Sequence, residues 1–359
     1  MTFSSSSWIR QAGGIHVLAT LLLCIAATRV LAAEGAAEYV IQISVDGLAP
    51  KHLETLLAEG KLPTFARWQR EGAWTHNART DFDYTITLPN HTCMVTCRPV
   101  KDRAADPTAI AGHVWTINSD PGDRTLHNSR LDYVASSFDV AHDNGLRTAL
   151  LASKSKFVLY DQSYDARNGA ADTTGEDNGR DKIDLYVKDG NTAAMTDRFI
   201  EEMKSQPFNY TFLHYADTDS KGHAKGWGSP EYMEAVVHVD GQLARIVELV
   251  TTDERFKGKT TIILSADHGG LGLNHGINSN VLNYTIPFYV WGAGVAPGRD
   301  LYELNTSSRA NPQTERPDYT GAPLQPIRNG DGGNLALSLL GLGPIPGSLV
   351  NAAQDLSTQ

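Results

Sequence analysis

Tyr39-Val-Ile-Gln-Ile-Ser-Val-Asp46-Gly47 and Thr260-Thr-Ile-Ile-Leu-Ser-Ala-Asp267-His268-Gly-Gly each carry a β-branched, apolar run straight into an aspartate. A third run, Tyr210-Thr-Phe-Leu-His-Tyr215, leads into Asp217-Thr-Asp219-Ser-Lys-Gly-His223. Buried strands of parallel sheets read as continuous apolar runs, and such sheets bind ligands beyond the carboxyl ends of their strands. Three acid-tipped runs with histidines close behind therefore predict one metal-binding cleft, assembled from distant parts of the chain.

Outward from these runs the pattern repeats. Further strand-like stretches lie at 147–152 and 286–291, with amphipathic stretches at 193–203 and 232–250. That alternation predicts an α/β fold with a doubly wound, mostly parallel central sheet and helices on both faces. Two polar stretches, 100–133 and 160–191, are expected as cap insertions that wall or cover the cleft, since long loops in compact domains are usually functional. The tract 305–328 is expected as a surface excursion before a last helix at Asn334-Leu-Ala-Leu-Ser-Leu-Leu340.

Residues 1–33 have the order of a cleavable secretory signal: Arg10, an apolar stretch from Val17, then Val30-Leu-Ala-Ala33. The apolar core is short for a spanning helix, so no stable membrane insertion is expected after cleavage. The mature product is placed outside the cytoplasm, secreted or periplasmic, as a single catalytic domain over 34–359. Cleavage would remove Arg10 and Arg29 and no acid, taking the formal charge from −10 to −12. An acidic chain without a polybasic run is not built for nucleic-acid duplexes, which demand clustered Lys and Arg. Cys93 and Cys97, four apart in an expected helix, are read as small buried residues.

Two divalent ions sharing a phosphoryl site need about seven ligands, mostly carboxylates and imidazoles, a mixture zinc accepts. The chain offers Asp46, Asp219, His223, Asp267, His268 and His275, with a hydroxyl as the seventh. Gly222 is expected to let a loop turn so that Asp219 and His223 face one ion. Any one strand-end Asp alone would be a turn or capping residue; it is the joint occurrence that argues for metal. The hydroxyl is sought in Thr85-Ile-Thr87-Leu-Pro89-Asn-His91. Pro89 suits the first position of a helix, which would leave Thr87 just before its positive end, where a phosphate is favoured.

Together, Ser-Val-Asp46-Gly, Thr87-Leu-Pro-Asn-His, Asp219-Ser-Lys-Gly-His223, Asp267-His268-Gly and His275-Gly resemble the nucleotide pyrophosphatase/phosphodiesterase branch of the alkaline phosphatase superfamily. The resemblance runs from about residue 38 to the last helix. It implies two zinc ions per chain, one held by Asp46, Thr87, Asp267 and His268, the other by Asp219, His223 and His275. It implies Thr87 as nucleophile and a phosphothreonine intermediate. It also implies an asparagine donating to a phosphoryl oxygen, for which Asn118 is the best match and Asn128 a weaker one; about ten extra residues precede His113. A backbone N–H near Leu88 is expected to share that task.

The resulting expectation is a zinc-dependent phosphodiesterase or nucleotide pyrophosphatase acting on a small-molecule phosphate ester, nucleotide-like substrates among them. A phosphomonoesterase, phosphonate hydrolase or sulfatase would use the same two-metal site. A sulfatase would carry a modifiable Cys or Ser in the nucleophile motif, whereas Cys93 and Cys97 lie beyond Pro89. A monoesterase would need a cation near the dianion, and the basic residues near Thr87 in sequence are Arg79, Arg98 and Lys101. A non-catalytic zinc-binding module is a further alternative, disfavoured because every expected ligand is present.

Overall fold

The computed structural model describes residues 35–102, 112–320 and 322–359; the expected signal at 1–33 lies outside them. The described residues all fall in one compact unit. Its strands are β1 (Tyr39–Val45), β2 (Ala73–Arg79), β3 (Thr148–Ala152), β4 (Leu185–Lys188), β5 (Tyr210–Tyr215), β6 (Thr260–Ser265), β7 (Thr285–Gly292) and β8 (Arg299–Asp300). Among the described residues they form one sheet in the order β4-β3-β5-β1-β6-β7-β2-β8. β1 pairs in parallel with β5 and β6, and β3 in parallel with β4 and β5, while β7 runs antiparallel to β6 and β2. The α/β architecture is thus a mostly parallel sheet, and every residue of β3, β5 and β6 is buried.

The helices, in chain order, are α1 (Pro50–Ala58), α2 (Pro63–Glu71), α3 (Thr87–Thr96), α4 (Leu126–Arg130), α5 (Ser137–Asp143), α6 (Val158–Ser163), α7 (Thr192–Ser205), α8 (Asp217–Lys225), α9 (Pro230–Thr252), α10 (Val281–Tyr284), α11 (Leu301–Leu304) and α12 (Asp331–Leu339). α9 is the long amphipathic helix expected from the sequence. It packs on α8, α7 and α2, burying Val236, Val239, Leu243 and Ile246. Its Asp240, buried, accepts from the first backbone N–H groups of α2 at Thr64 and Phe65 and so caps a neighbouring helix.

The sheet order decides where chemistry can occur. β1 is central, and the carboxyl ends of β1, β5, β6 and β3 lie on one edge because these strands are parallel neighbours. Of the two stretches expected to cover the cleft, 100–133 brings Asn118 onto the start of α3. The stretch 160–191 runs through α6 to the edge strand β4. It is pinned at Lys182, which is fully buried and ion-paired to Asp143 at 3.0 Å and to Asp172. Cys93 and Cys97 are free and buried.

Candidate metal centre and nucleophile

Asp46, Asp267 and His268 follow β1 and β6 directly and are fully buried, while Asp219 and His223 lie on α8 after β5. Asp219 and His223 are therefore one helical turn apart on one face, not brought together by a loop as the glycine between them suggested. Gly222 has a different reason. A Cβ there would lie 2.6–2.7 Å from the ring of Trp227, whose Nε1 donates to the Gly47 carbonyl at 2.9 Å. Gly47 itself has φ of +70° and turns the chain out of β1, so that its N–H can donate to Asp267 Oδ1 at 3.0 Å.

Three imidazoles are set in one tautomer by their outer nitrogens. His268 Nδ1 donates to the Gly269 carbonyl at 2.9 Å, His275 Nδ1 to Thr85 at 2.6 Å and His223 Nδ1 to Leu273 at 3.0 Å. All three Nε2 lone pairs therefore point inward. His223 Nε2 and His275 Nε2 are 3.1 Å apart, and His268 Nε2 sits 3.1 Å from Asp267 Oδ2 and 3.5 Å from Asp46 Oδ1. His268 and His275 stack at 3.5 Å between centroids. Asp46 Oδ1, Asp219 Oδ1, Asp267 Oδ2 and His268 Nε2 are buried with no hydrogen-bond partner. Buried lone pairs facing lone pairs are costly unless a cation lies between them. The donor set of carboxylates and imidazoles fits divalent ions such as zinc. Asp46, Asp267 and His268 converge within metal-ligand reach, as do Asp219, His268 and His275.

Burial would raise Asp46, but the Lys154 ammonium and the hydrogen bond from His214 more than offset it and hold this carboxyl well below its usual range. Asp267 is pushed well up, by burial first and by the charge of Asp46 second. Burial also lowers His268 to about 4 and His275 to about 3, so both are neutral ligands near pH 7.

Thr87 is the first residue of α3, preceded by Ile86, which makes no side-chain capping bond. The sequence expectation put Pro89 at the helix start and Thr87 before it; the helix begins two residues earlier, leaving Pro89 in the first turn, where its missing N–H still costs no bond. His91, one turn on, donates from Nδ1 to the Thr87 carbonyl at 2.8 Å and accepts from the Ser44 hydroxyl at 2.8 Å, tying Thr87 to β1. Asn118 Oδ1 accepts from Leu88 N–H at 2.9 Å and from Lys156 Nζ at 3.0 Å. This corrects one expectation: the Leu88 N–H is committed to Asn118. Both bonds fall on Asn118 Oδ1, so neither occupies its Nδ2. Asn128 lies in α4, where its backbone N–H donates to the capping hydroxyl of Thr125 at 3.0 Å.

Several neighbours were not assigned from sequence. His214, in β5, is buried and touches the centre: Ser153 N–H donates to its Nδ1 at 3.2 Å, so its Nε2 donates to Asp46 Oδ2 at 3.0 Å. Asp217, two residues before Asp219, instead faces His238 at 3.4 Å and Thr192. The basic residues near Thr87 in sequence lie outside the cleft. Arg79 donates to the carbonyls of Gln313 and Glu315, Arg98 to Pro346 O, and Lys101 pairs with Asp83. The cations beside the centre are Lys154 and Lys156, which follow β3.

A family model described as type I phosphodiesterase/nucleotide pyrophosphatase matches residues 40–285. The chain belongs to that family. Its curated relatives include a GPI ethanolamine phosphate transferase 1 of Mus musculus, 32% identical over 145 residues, covering 38% of this chain and 15% of that protein. The Homo sapiens protein of the same name is 30% identical over 146 residues, again 38% and 15%. The aligned part is thus a small fraction of those relatives' length. Among solved structures, an inactive murine ectonucleotide pyrophosphatase/phosphodiesterase 5 in complex with AMP superposes with a TM-score of 0.58 at 14% identity. It covers 89% of this chain and all of that one. An alkaline phosphatase superfamily protein from Vibrio parahaemolyticus gives 0.56 at 14% identity, covering 90% and 71%. At such identities these two establish the fold that the family and the sheet order share.

Proposed function

We propose that the chain is an exported, zinc-dependent hydrolase of phosphodiester or pyrophosphate bonds in small molecules, working through a phosphothreonine on Thr87. The observation that carries this reading is the set of inward-facing, partnerless ligand atoms of Asp46, Asp219, Asp267 and His268. They lie on the strand edge that also carries the helix bearing Thr87. Two bound divalent ions would supply Lewis-acid charge that lowers the pKa of the Thr87 hydroxyl and offsets charge on the phosphoryl group.

The chain's own residues do the rest. The start of α3 holds Thr87 Oγ1 at the positive helix end, and the His91 link through its carbonyl fixes that turn. In the first step Thr87 Oγ1 gives up its proton to solvent and bonds to phosphorus as the ester P–O bond breaks, the leaving oxygen departing with the electron pair and taking a proton from solvent. In the second, water replaces Thr87 Oγ1 at phosphorus, and the threonine regains its proton. Asn118, held at its Oδ1 by Leu88 N–H and Lys156, donates from Nδ2 to a non-bridging oxygen in both steps. An alcohol could replace water in the second step, and the names of the curated relatives give that transferase reading its basis.

The test is direct. Purified mature protein, with two zinc ions per chain by elemental analysis, should hydrolyse bis-aryl phosphate and be phosphorylated on Thr87 when the reaction is quenched and digested for mass spectrometry. Thr87→Ala with both metals retained and full diesterase rate would end the proposal. Adding a simple alcohol separates hydrolysis from transfer by whether a new ester accumulates.

A further inference from the structure

Lys154 lies two residues past the end of β3, on the same sheet edge as Asp46. Its Nζ donates to Asp46 Oδ2 at 2.7 Å and to Asp219 Oδ2 at 2.7 Å. These two carboxylates belong to the two different ligand sets, and each has its other oxygen, Oδ1, buried without a partner among the imidazoles. The ammonium thus takes the outer oxygens and leaves the inner ones to metal. An ammonium has three N–H donors; two are engaged, and the side chain keeps 19% exposure, so it borders the cleft and is not sealed beneath it.

We propose that Lys154 is the specificity-determining residue that admits a doubly charged phosphoryl group, donating its third N–H to a non-bridging oxygen of a terminal phosphate. The argument is one of charge. With all three carboxylates ionised, as metal binding would require, Asp46, Asp219 and Asp267 with Lys154 contribute two net negative charges. Two divalent ions would convert that to two positive charges, which match a terminal phosphoryl dianion. The same site without Lys154 would carry one, which matches a singly charged diester. In a site screened from water this difference is worth far more than at a surface. Lys156, held on Asn118 by bonds of 2.9 and 3.0 Å, adds a second cation on the Thr87 side.

The inference rests on the phosphoryl-transfer reading above. With a pyrophosphate substrate, it directs attack to the terminal phosphorus. With a diester, it makes Lys154 a holder of the monoester product.

The experiment compares the zinc-loaded mature parent with Lys154→Met and Lys154→Arg. It measures kcat/KM for aryl phosphate and bis-aryl phosphate, zinc content by elemental analysis, and inorganic phosphate affinity by calorimetry in a Thr87→Ala background. Lys154→Met should lose at least ~100-fold on the monoester but under ~10-fold on the diester, and weaken phosphate at least ~30-fold, with two zinc ions retained. Lys154→Arg should restore much of the phosphate affinity. Equal losses on both esters, loss of zinc, or unchanged phosphate affinity would overturn the proposal and make Lys154 only a tie between Asp46 and Asp219. A parent inactive on every ester would refute the hydrolase reading instead, and the phosphate titration would still decide the role of Lys154.

Discussion

His223 Nε2 and His275 Nε2 face each other at 3.1 Å while both rings spend their Nδ1–H on backbone carbonyls, of Leu273 and Thr85. Neither nitrogen has a proton to offer the other in these tautomers, so the pair is arranged for a cation. Removing one partner should therefore be read in metal content before it is read in rate. His275→Gln is expected to leave one zinc ion per chain and lower kcat at least ~100-fold. It should also shrink the fall in melting temperature that a chelator causes in the parent, since less metal binding is then linked to folding. Two tightly held ions in the variant would show that His275 is not a ligand.

His214 reaches the same centre from beneath. Its Nε2–H fixes Asp46 Oδ2, and the tautomer is set by Ser153 N–H. Partners of this kind typically change metal affinity or activity by 10–100-fold. His214→Phe should weaken zinc by about that factor, whereas His214→Gln, which keeps a donor, should weaken it less. Both variants binding zinc as the parent does would reduce His214 to packing.

Lys156 acts at one remove, through Asn118. Without its ammonium, Asn118 Oδ1 keeps only the Leu88 N–H, and the carboxamide is free to rotate. Lys156→Met should lower kcat by ~10-fold or more with little change in zinc content, and adding Asn118→Ala to it should cost little further, because the two act as a unit. Full additivity of the two losses would separate their roles.

The strands tipped by Asp46 and Asp267 were legible in the sequence because burial on both faces leaves a continuous apolar signature. β2, Ala-Trp-Thr-His-Asn-Ala-Arg, and the four-residue edge strand β4 carry no such signature, being polar or half-buried. The candidate metal ligands were legible because they stand in short local patterns. In the sequence Lys154 merely follows a strand, as open to an anionic substrate as to a solvated turn: its partners Asp46 and Asp219 are 108 and 65 residues away, and only the strand order brings them together. Likewise the segment holding Asp219 and His223 is polar throughout and read as a loop, yet it is helical, with Trp227 packed over Gly222.

Burial lowers the His113 pKa to about 3. Its Nδ1 accepts from Trp115 N–H at 3.0 Å, away from the metal ligands, so its contribution can be isolated. The unfolded chain binds a proton on this residue below pH 6.5 that the fold refuses, so its stabilising share is complete above 6.5 and lost as pH falls toward 3. His113→Asn, which keeps an acceptor, should thus be most destabilising near pH 7.5. The difference should shrink by up to about 1.4 kcal/mol per pH unit below 6.5. Urea midpoints of chelated parent and variant at several pH values measure it; a constant difference would contradict the assignment.

Gly222 gives the last test, because two known effects oppose each other there. Alanine in a helix interior gains about 1 kcal/mol over glycine. A Cβ at 2.6–2.7 Å from the Trp227 ring must displace that ring, and overpacking costs typically ~1–3 kcal/mol. Trp227 cannot move cheaply: its Nε1 is bonded to Gly47 O at 2.9 Å, and its ring lies 5.3 Å from His223 and 5.8 Å from His275. Gly222→Ala is therefore expected to lower the melting temperature despite the helical gain. It should also weaken the ion held by Asp219, His223 and His275 more than the one held by Asp46, Asp267 and His268, as sequential release to a chelator would reveal. A raised melting temperature with both ions released as in the parent would mean that Trp227 yields freely and does not brace the metal helix.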